Sequence, residues 1–195
     1  MDIYGALSKS CNCAYAALTL ELGSDVMNSI VDQLGLTDSY DINGIKSVPG
    51  TFNFDTYNIN LGWAGVGQFE DKVNPLSMMV YMGSIAGGGS ASSPILKMGS
   101  SSETVELLDS DTALKMDALM RNNVTSNYGD GNYPGLELRA KSGTAEGGPG
   151  RSPDAWFCGY SGEFAFVVCV EKGGYGSAVA GPVANKVLQA IVAGE

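Results

Sequence analysis

The sequence predicts an α+β fold: a mainly helical part with long loops over residues 1–134, then an antiparallel sheet covered by a C-terminal helix over residues 135–195. Three observations predict it. Apolar residues recur at helical spacing in several segments of the first part, strand-like runs begin beyond Gly135, and the chain closes on an amphipathic segment suited to lie over a sheet.

The first helix is expected from Cys13 to Leu22, where Ala14, Ala17, Leu18 and Leu22 keep helical spacing and Gly23 stands at the stop position. A second runs from about Ser24 to Leu34 and is closed by Gly35. Residues Thr37 to Trp63 are rich in Asp, Asn, Gly and aromatics and read as a long loop with little regular structure. Asn74-Pro75 opens the next helix, with proline at the first helical position and Met78, Met79, Met82 and Ile85 as its apolar stripe. Another helix fits Ser110 to Asn122, with Asp111 in the first turn and Leu114, Leu119 and Met120 on a buried face. Three strands follow at Leu136–Ser142, Asp154–Tyr160 and Phe164–Val170, the last two joined through Ser161-Gly162-Glu163 as a hairpin. The closing helix runs from about Ala180 to Val192 and turns Val183, Val187, Leu188 and Ile191 to the sheet.

At 195 residues the chain fits one domain, or the greater part of one. A formal net charge of −10 argues against nucleic acid as a partner, because phosphate binding rests on clustered Lys and Arg. The chain has no histidine, which excludes a Ser-His-Asp triad, a Cys-His dyad and any His-ligated metal within these residues. Acid–base chemistry must therefore use Lys, Tyr or carboxylates, or groups from elsewhere. Cys11, Cys13, Cys158 and Cys169 lack the paired spacing of a zinc site and read as buried free thiols. The most apolar stretch, Ser77 to Ala91, is interrupted by glycines well short of a membrane span.

Lys141-Ser142-Gly143-Thr144 sits at the end of a predicted strand, ahead of the loop Gly147-Gly148-Pro149-Gly150. A cation, two hydroxyls and a glycine in that order suit a strand edge left bare for an extended peptide and its carboxylate. The competing structural explanation is a strand that frays into a loop, and the tetrapeptide alone does not separate the two. Ser10-Cys11-Asn12 is a Ser-x-Asn triplet whose structural alternative is the N-cap of the following helix.

In chain order these pieces resemble the transpeptidase domain of penicillin-binding proteins, a family marked by Ser-x-x-Lys, a Ser-x-Asn triplet and Lys-Thr-Gly. Gly5 to Asn12 is similar to the approach to the second motif. Gly65-Val66-Gly67-Gln68, Asn74-Pro75-Leu76 and Ile85-Ala86-Gly87-Gly88-Gly89 resemble three further family segments, with Phe69 and Asn74 departing from the usual glycine and threonine. Lys141 to Glu146 and Asp154 to Tyr160 match the third motif and the strand after it. The resemblance covers nearly the whole chain.

It implies a β-lactamase/transpeptidase-like fold, incomplete at the N-terminus, and serine acyl transfer on the acyl-D-Ala-D-Ala end of a peptidoglycan stem peptide, with β-lactams as ligands of the intact protein. It implies no cofactor and no metal. By resemblance Ser10 relays protons near the leaving group, Asn12 holds the substrate's side amide, and Lys141 supports the carboxylate-binding end. Ser142 contacts that carboxylate, Gly143 and Trp156 belong to the substrate-binding surface, and the N–H of Thr144 forms half of the oxyanion hole. The nucleophile is missing from the pattern, because no Ser is followed three residues later by Lys; Ser93-Pro94-Ile95-Leu96-Lys97 places its lysine one residue too late. The family's order puts Ser-x-x-Lys before Met1, so the chain is expected to be an N-terminally truncated domain, inactive by itself. Its parent is expected at the extracytoplasmic face of a bacterial membrane, anchored by a segment outside these residues. The strand Phe164–Val170 is then expected to expose an edge through which the chain forms a homodimer or aggregates. The alternative function is a non-catalytic peptidoglycan- or partner-binding module derived from the same fold.

Overall fold

The structure, a computed structural model, describes residues 1–97 and 99–194. Its centre is a three-stranded antiparallel sheet of β5 (Arg139–Ala145), β6 (Asp154–Ser161) and β7 (Phe164–Val170), in that spatial order. β6 is the middle strand because its small and aromatic residues are buried: Ala155 and Phe157 are fully enclosed. Ser161 pairs with Phe164 across a two-residue turn, and Gly162 at φ +55° supplies the left-handed backbone that such a turn needs.

Helix α7 (Gly176–Ala193) covers one face of this sheet, and α5 (Pro75–Ala86) packs on β6 and β7 from the other. The α7 face is sealed by Leu138, Ala140, Ala155, Phe157, Ala180, Ala184 and Leu188. Small residues on α7 allow a close approach. A Cβ on Gly176 would lie 2.2 Å from the Gly143 carbonyl oxygen, so the helix start sits directly against the substrate-strand candidate. Helix α6 (Ser110–Asn123) runs on through a π-turn at Val124–Tyr128 and packs against β5.

The remaining helices are α1 (Ile3–Ser8), α2 (Asn12–Leu22), α3 (Ser24–Gln33) and α4 (Asn58–Gly65). A short hairpin, β1 (Asp41–Ile42) with β2 (Ile45–Lys46), lies between α3 and α4, and β3 (Ser90–Ser92) pairs with β4 (Thr104–Glu106) after α5. Val31, Leu36, Phe54, Leu61 and Ala64 form the core of the helical region. Met82, Ile85, Met120 and Tyr160 join α5 and α6 to the sheet.

Several expectations are corrected. α1 was hidden by a short, weakly patterned sequence; Asp2 caps it by accepting from the Gly5 N–H at 2.8 Å. The long loop from Thr37 contains the β1–β2 hairpin and α4, in which the large apolar residues Ile59 and Trp63 are exposed while Leu61, Gly62 and Ala64 are buried, so hydrophobicity does not mark its packed side. β5 starts at Arg139 rather than Leu136: Leu136 and Leu138 are buried, but they precede the ladder. On α5, Met79 is exposed while Ser77 and Ser84 are fully enclosed, and on α6 Leu114 is 68% exposed. On α7 the buried side is the small-residue stripe Ala180, Gly181, Ala184 and Leu188, so Val183, Val187 and Ile191 face outward. Close packing against a sheet selected the small residues, which hydrophobicity alone ranks below valine. Cys13 and Cys169 are exposed rather than buried, and all four thiols are free.

Candidate active site

Strand alternation divides the tetrapeptide. Lys141 and Gly143 point to one face of β5, Ser142 and Thr144 to the other, where α7 lies. β5 is an edge strand, and its alternate backbone groups at 140, 142 and 144 face away from β6.

That edge is not bare. The Asn123 amide donates to the Ala140 carbonyl at 2.7 Å, and the Ser142 N–H donates to the Tyr128 hydroxyl at 2.7 Å. Lys141 Nζ donates to the Ser142 carbonyl at 2.7 Å, and Gln68 Nε2 donates to the Thr144 carbonyl at 3.1 Å. Each partner is a side chain, so the edge is capped without being buried beneath another strand. By the same alternation the Thr144 N–H faces this edge, and it has no hydrogen-bond partner among the described residues.

Ser10 reaches the strand from the other side. It occupies the position after α1 where a helix commonly ends on glycine: Cys11 N–H donates to the Ala6 carbonyl at 2.9 Å, Ser10 N–H to the Leu7 carbonyl at 3.1 Å, and Ser10 has φ +46°. This left-handed turn aims the hydroxyl at Lys141, whose Nζ donates to Ser10 Oγ. Burial holds the Lys141 ammonium below the usual lysine range. The Cys158 thiol, which donates to the Lys141 carbonyl at 3.7 Å, is pushed up to about 11 by burial and stays protonated.

Ser142 Oγ accepts from the Tyr128 hydroxyl at 2.9 Å, and Thr144 Oγ1 accepts from the Gly176 N–H at 3.2 Å, which ties the strand to the start of α7. Trp156 lies across the ladder from Gly143, and a Cβ at 143 would come within 3.3 Å of the Trp156 Cβ. Ser10 and Ser142 line one cavity of about 660 Å³. Asn12 does not share it. It is exposed at the first residue of α2, where Cys11 rather than Ser10 holds the N-cap position, and it lines a separate apolar groove of about 270 Å³ between α2 and α4.

Three residues with no assigned role complete the strand edge: Gln68, Tyr128 and Asn123. Gln68 lay within a segment noted for its resemblance. Asn123 lies one residue past the end of the expected helix and is fully enclosed at the end of α6, and Tyr128 sits in a π-turn with no sequence signature.

The family model of the penicillin binding protein transpeptidase domain matches residues 1–189. Peptidoglycan D,D-transpeptidase PbpA of Mycobacterium tuberculosis is 27% identical over 97% of this chain and 44% of its own length. The Mycolicibacterium smegmatis protein of the same name is 24% identical over the same shares. Among solved structures, penicillin-binding protein A of M. tuberculosis in its ceftriaxone acyl-enzyme complex superposes with a TM-score of 0.89 at 25% identity, covering 97% of this chain and 48% of that one. The D,D-transpeptidase domain of a peptidoglycan glycosyltransferase from Eggerthella lenta shares the fold at a TM-score of 0.83 and 19% identity, over 99% of this chain and 54% of that one. This chain therefore spans less than half the length of the curated relatives it matches. With α helices on both sides of an antiparallel sheet and a family match over nearly every residue, the chain belongs to the penicillin-binding protein transpeptidase family.

Proposed function

We propose that the chain supplies the substrate strand and the Ser-x-Asn corner of a peptidoglycan D,D-transpeptidase site. The observation that carries the proposal is the contact of Lys141 with Ser10 beside a Thr144 N–H that has no partner among the described residues, on an edge strand. An acyl-D-Ala-D-Ala chain lies along β5, its terminal carboxylate near Ser142 and Lys141 and its scissile carbonyl over the Thr144 N–H. That N–H acts as an oxyanion donor, a contribution of about 3 kcal/mol in such sites. Binding along the edge displaces the Gln68 amide from the Thr144 carbonyl or shares that carbonyl with it. Gly143 leaves room beside Trp156, and Asn12 reaches the substrate's side amide only if it swings from its present exposed position.

In the reaction a serine oxygen attacks the carbonyl, the C–N bond to the terminal D-alanine breaks, and the D-alanine amine leaves with a proton. Ser10, held by Lys141, passes that proton. An amine of a second stem then takes the acyl group. The serine itself comes from a Ser-x-x-Lys segment that these residues do not contain, so the chain alone is inactive. The intact protein works at the extracytoplasmic membrane face, held by a segment outside the chain, and binds β-lactams at the same serine. The missing serine also supports a second reading, a non-catalytic peptidoglycan- or partner-binding module on the same fold.

Incubation with a fluorescent penicillin followed by denaturing electrophoresis tests the assignment. The 195-residue chain is expected to carry no label, while a protein joining it to a Ser-x-x-Lys segment is labelled. Label on the chain alone would show that another serine reacts, and an unlabelled joined protein would favour the binding module.

A further inference from the structure

The Thr144 end of the outward β5 edge is covered by a turn that carries its own acid. Gln68 Nε2, which donates to the Thr144 carbonyl at 3.1 Å, belongs to a turn anchored on both sides. The Gln68 N–H donates to the Trp63 carbonyl in α4 at 3.1 Å, and Lys72 exchanges two backbone hydrogen bonds with Thr51, at 2.7 and 2.8 Å. Between these anchors the turn is weakly held. Phe69 adopts φ +68°, a left-handed conformation that costs free energy in a residue with a side chain, and its ring is 45% exposed. The Asp71 N–H donates to the Gln68 carbonyl at 3.4 Å and Asp71 Oδ1 accepts from the Asn53 N–H at 3.3 Å, both long contacts. Asp71 Oδ2 is buried with no partner among the described residues. A neutral carboxyl tolerates that position better than an ionised one, and burial pushes the group up to about 6. The charges around it do not offset this. Glu70 on the same turn accepts from the Asn53 amide at 2.7 Å, Lys72 is exposed, Asp55 on the facing segment accepts from Asn28 at 3.1 Å, and α4 carries no charged residue.

We infer that the turn Gln68–Asp71 is a strap over the β5 edge, in which Gln68 competes with the acyl-D-Ala-D-Ala chain for the Thr144 carbonyl and the Asp71 carboxyl is the latch; the inference rests on the transpeptidase reading above. A peptide that pairs with the edge as a strand presents an N–H to that carbonyl from the side Gln68 now occupies. Gln68 is thus a positioning residue that acts against binding, and Asp71 acts through it. With the carboxyl neutral the turn packs and the strap is closed. With the carboxyl ionised, the buried charge favours the open turn, where water reaches both oxygens. The closed strap therefore holds the proton more tightly than the open one. Rising pH shifts the population toward the open strap and strengthens peptide binding, and falling pH closes the edge again.

The test is a ¹⁵N NMR titration of the full 195-residue chain with an N-acylated D-Ala-D-Ala at about pH 5 and about pH 7.5, on the parent, Gln68→Ala and Asp71→Asn. The parent is expected to bind about fivefold more tightly at the higher pH, with the Gln68 side-chain amide resonances shifting as the peptide displaces them. Gln68→Ala removes the competitor and should bind about fivefold more tightly than the parent at the lower pH, with little dependence on pH. Asp71→Asn keeps the latch neutral and should bind at both pH values as the parent does at the lower one. Lys141, whose ammonium burial holds below the usual lysine range, is the other titratable group on this edge. A pH dependence that survives in Asp71→Asn would belong to it and overturn the latch. Gln68→Ala binding no tighter than the parent, or parent binding that ignores pH, would overturn the strap, while peptide shifts at residues 141–144 would leave the transpeptidase reading standing. If neither the parent nor a variant binds the peptide, both fall.

Discussion

The Lys141 ammonium donates to the Ser10 hydroxyl across 131 residues of chain, bringing an edge strand and a helix-ending turn to one point. Ser10 makes this contact from a left-handed backbone at φ +46°, a conformation that costs a non-glycine residue about 1 kcal/mol. The strain and the contact have the same origin, because the turn that raises φ is the turn that points Oγ at Lys141.

Ser10→Gly and Ser10→Ala both remove the hydroxyl, and they differ in tolerance of that backbone. Urea denaturation should find the glycine variant more stable than the alanine variant by about 1 kcal/mol. Equal stabilities would mean that the turn is not left-handed in solution.

Tyr128 caps β5 through both the Ser142 N–H and the Ser142 hydroxyl. Tyr128→Phe keeps the ring against Phe157 and strips both partners, so it should cost about 1–2 kcal/mol. Hydrogen exchange should locate the loss, with the Ser142 amide losing protection while β6 amides change little. Unchanged protection at Ser142 would remove Tyr128 from the edge.

Asp71 is pushed up to about 6 by burial, against a smaller opposing pull from the Asn53 N–H; its second oxygen is buried without a partner. The folded state therefore holds a proton that the unfolded chain has released between about pH 4 and pH 6. As pH rises through that window the site loses stability, by about 1–2 kcal/mol after allowance for partial exposure. Asp71→Asn should match the parent near pH 4 and exceed it at pH 7, and a difference that does not vary with pH would contradict the assignment.

β7 ends the sheet, with Phe164 47% exposed and Cys169 open to solvent. A free apolar edge of this kind pairs with another strand. Solution scattering on the chain should therefore show a concentration-dependent dimer or larger species, which Cys169→Lys, at an exposed position of β7, reduces. A monodisperse monomer at high concentration would remove the edge-pairing proposal.

The sheet strands were legible because β6 and β7 carry long apolar runs around a glycine turn, and the start of α5 because Asn74 and Pro75 mark it chemically. The inward face of α7 was not. Valines score as core residues, yet Gly176, Gly181 and Ala184 face the sheet because only small side chains permit that approach. At the site, Ser10, Lys141 and Ser142 were found through short motifs, and the structure joins them. Asn12 was named with them and lies in a different groove. The polar caps on β5 come from a helix, a π-turn and a loop, and a contact such as Gln68 with Thr144, 76 residues apart, leaves no local pattern to read.

The central claim is that the outward edge of β5 receives an acyl-D-Ala-D-Ala chain over the Thr144 N–H. The most direct measurement is the amide resonance of Thr144 during titration of the chain with an N-acylated D-Ala-D-Ala. The expected result is a saturable downfield shift of that N–H, with Ser10 and Lys141 moving along the same binding curve. A Thr144 amide that stays fixed while the peptide binds elsewhere, or does not bind at all, would contradict it.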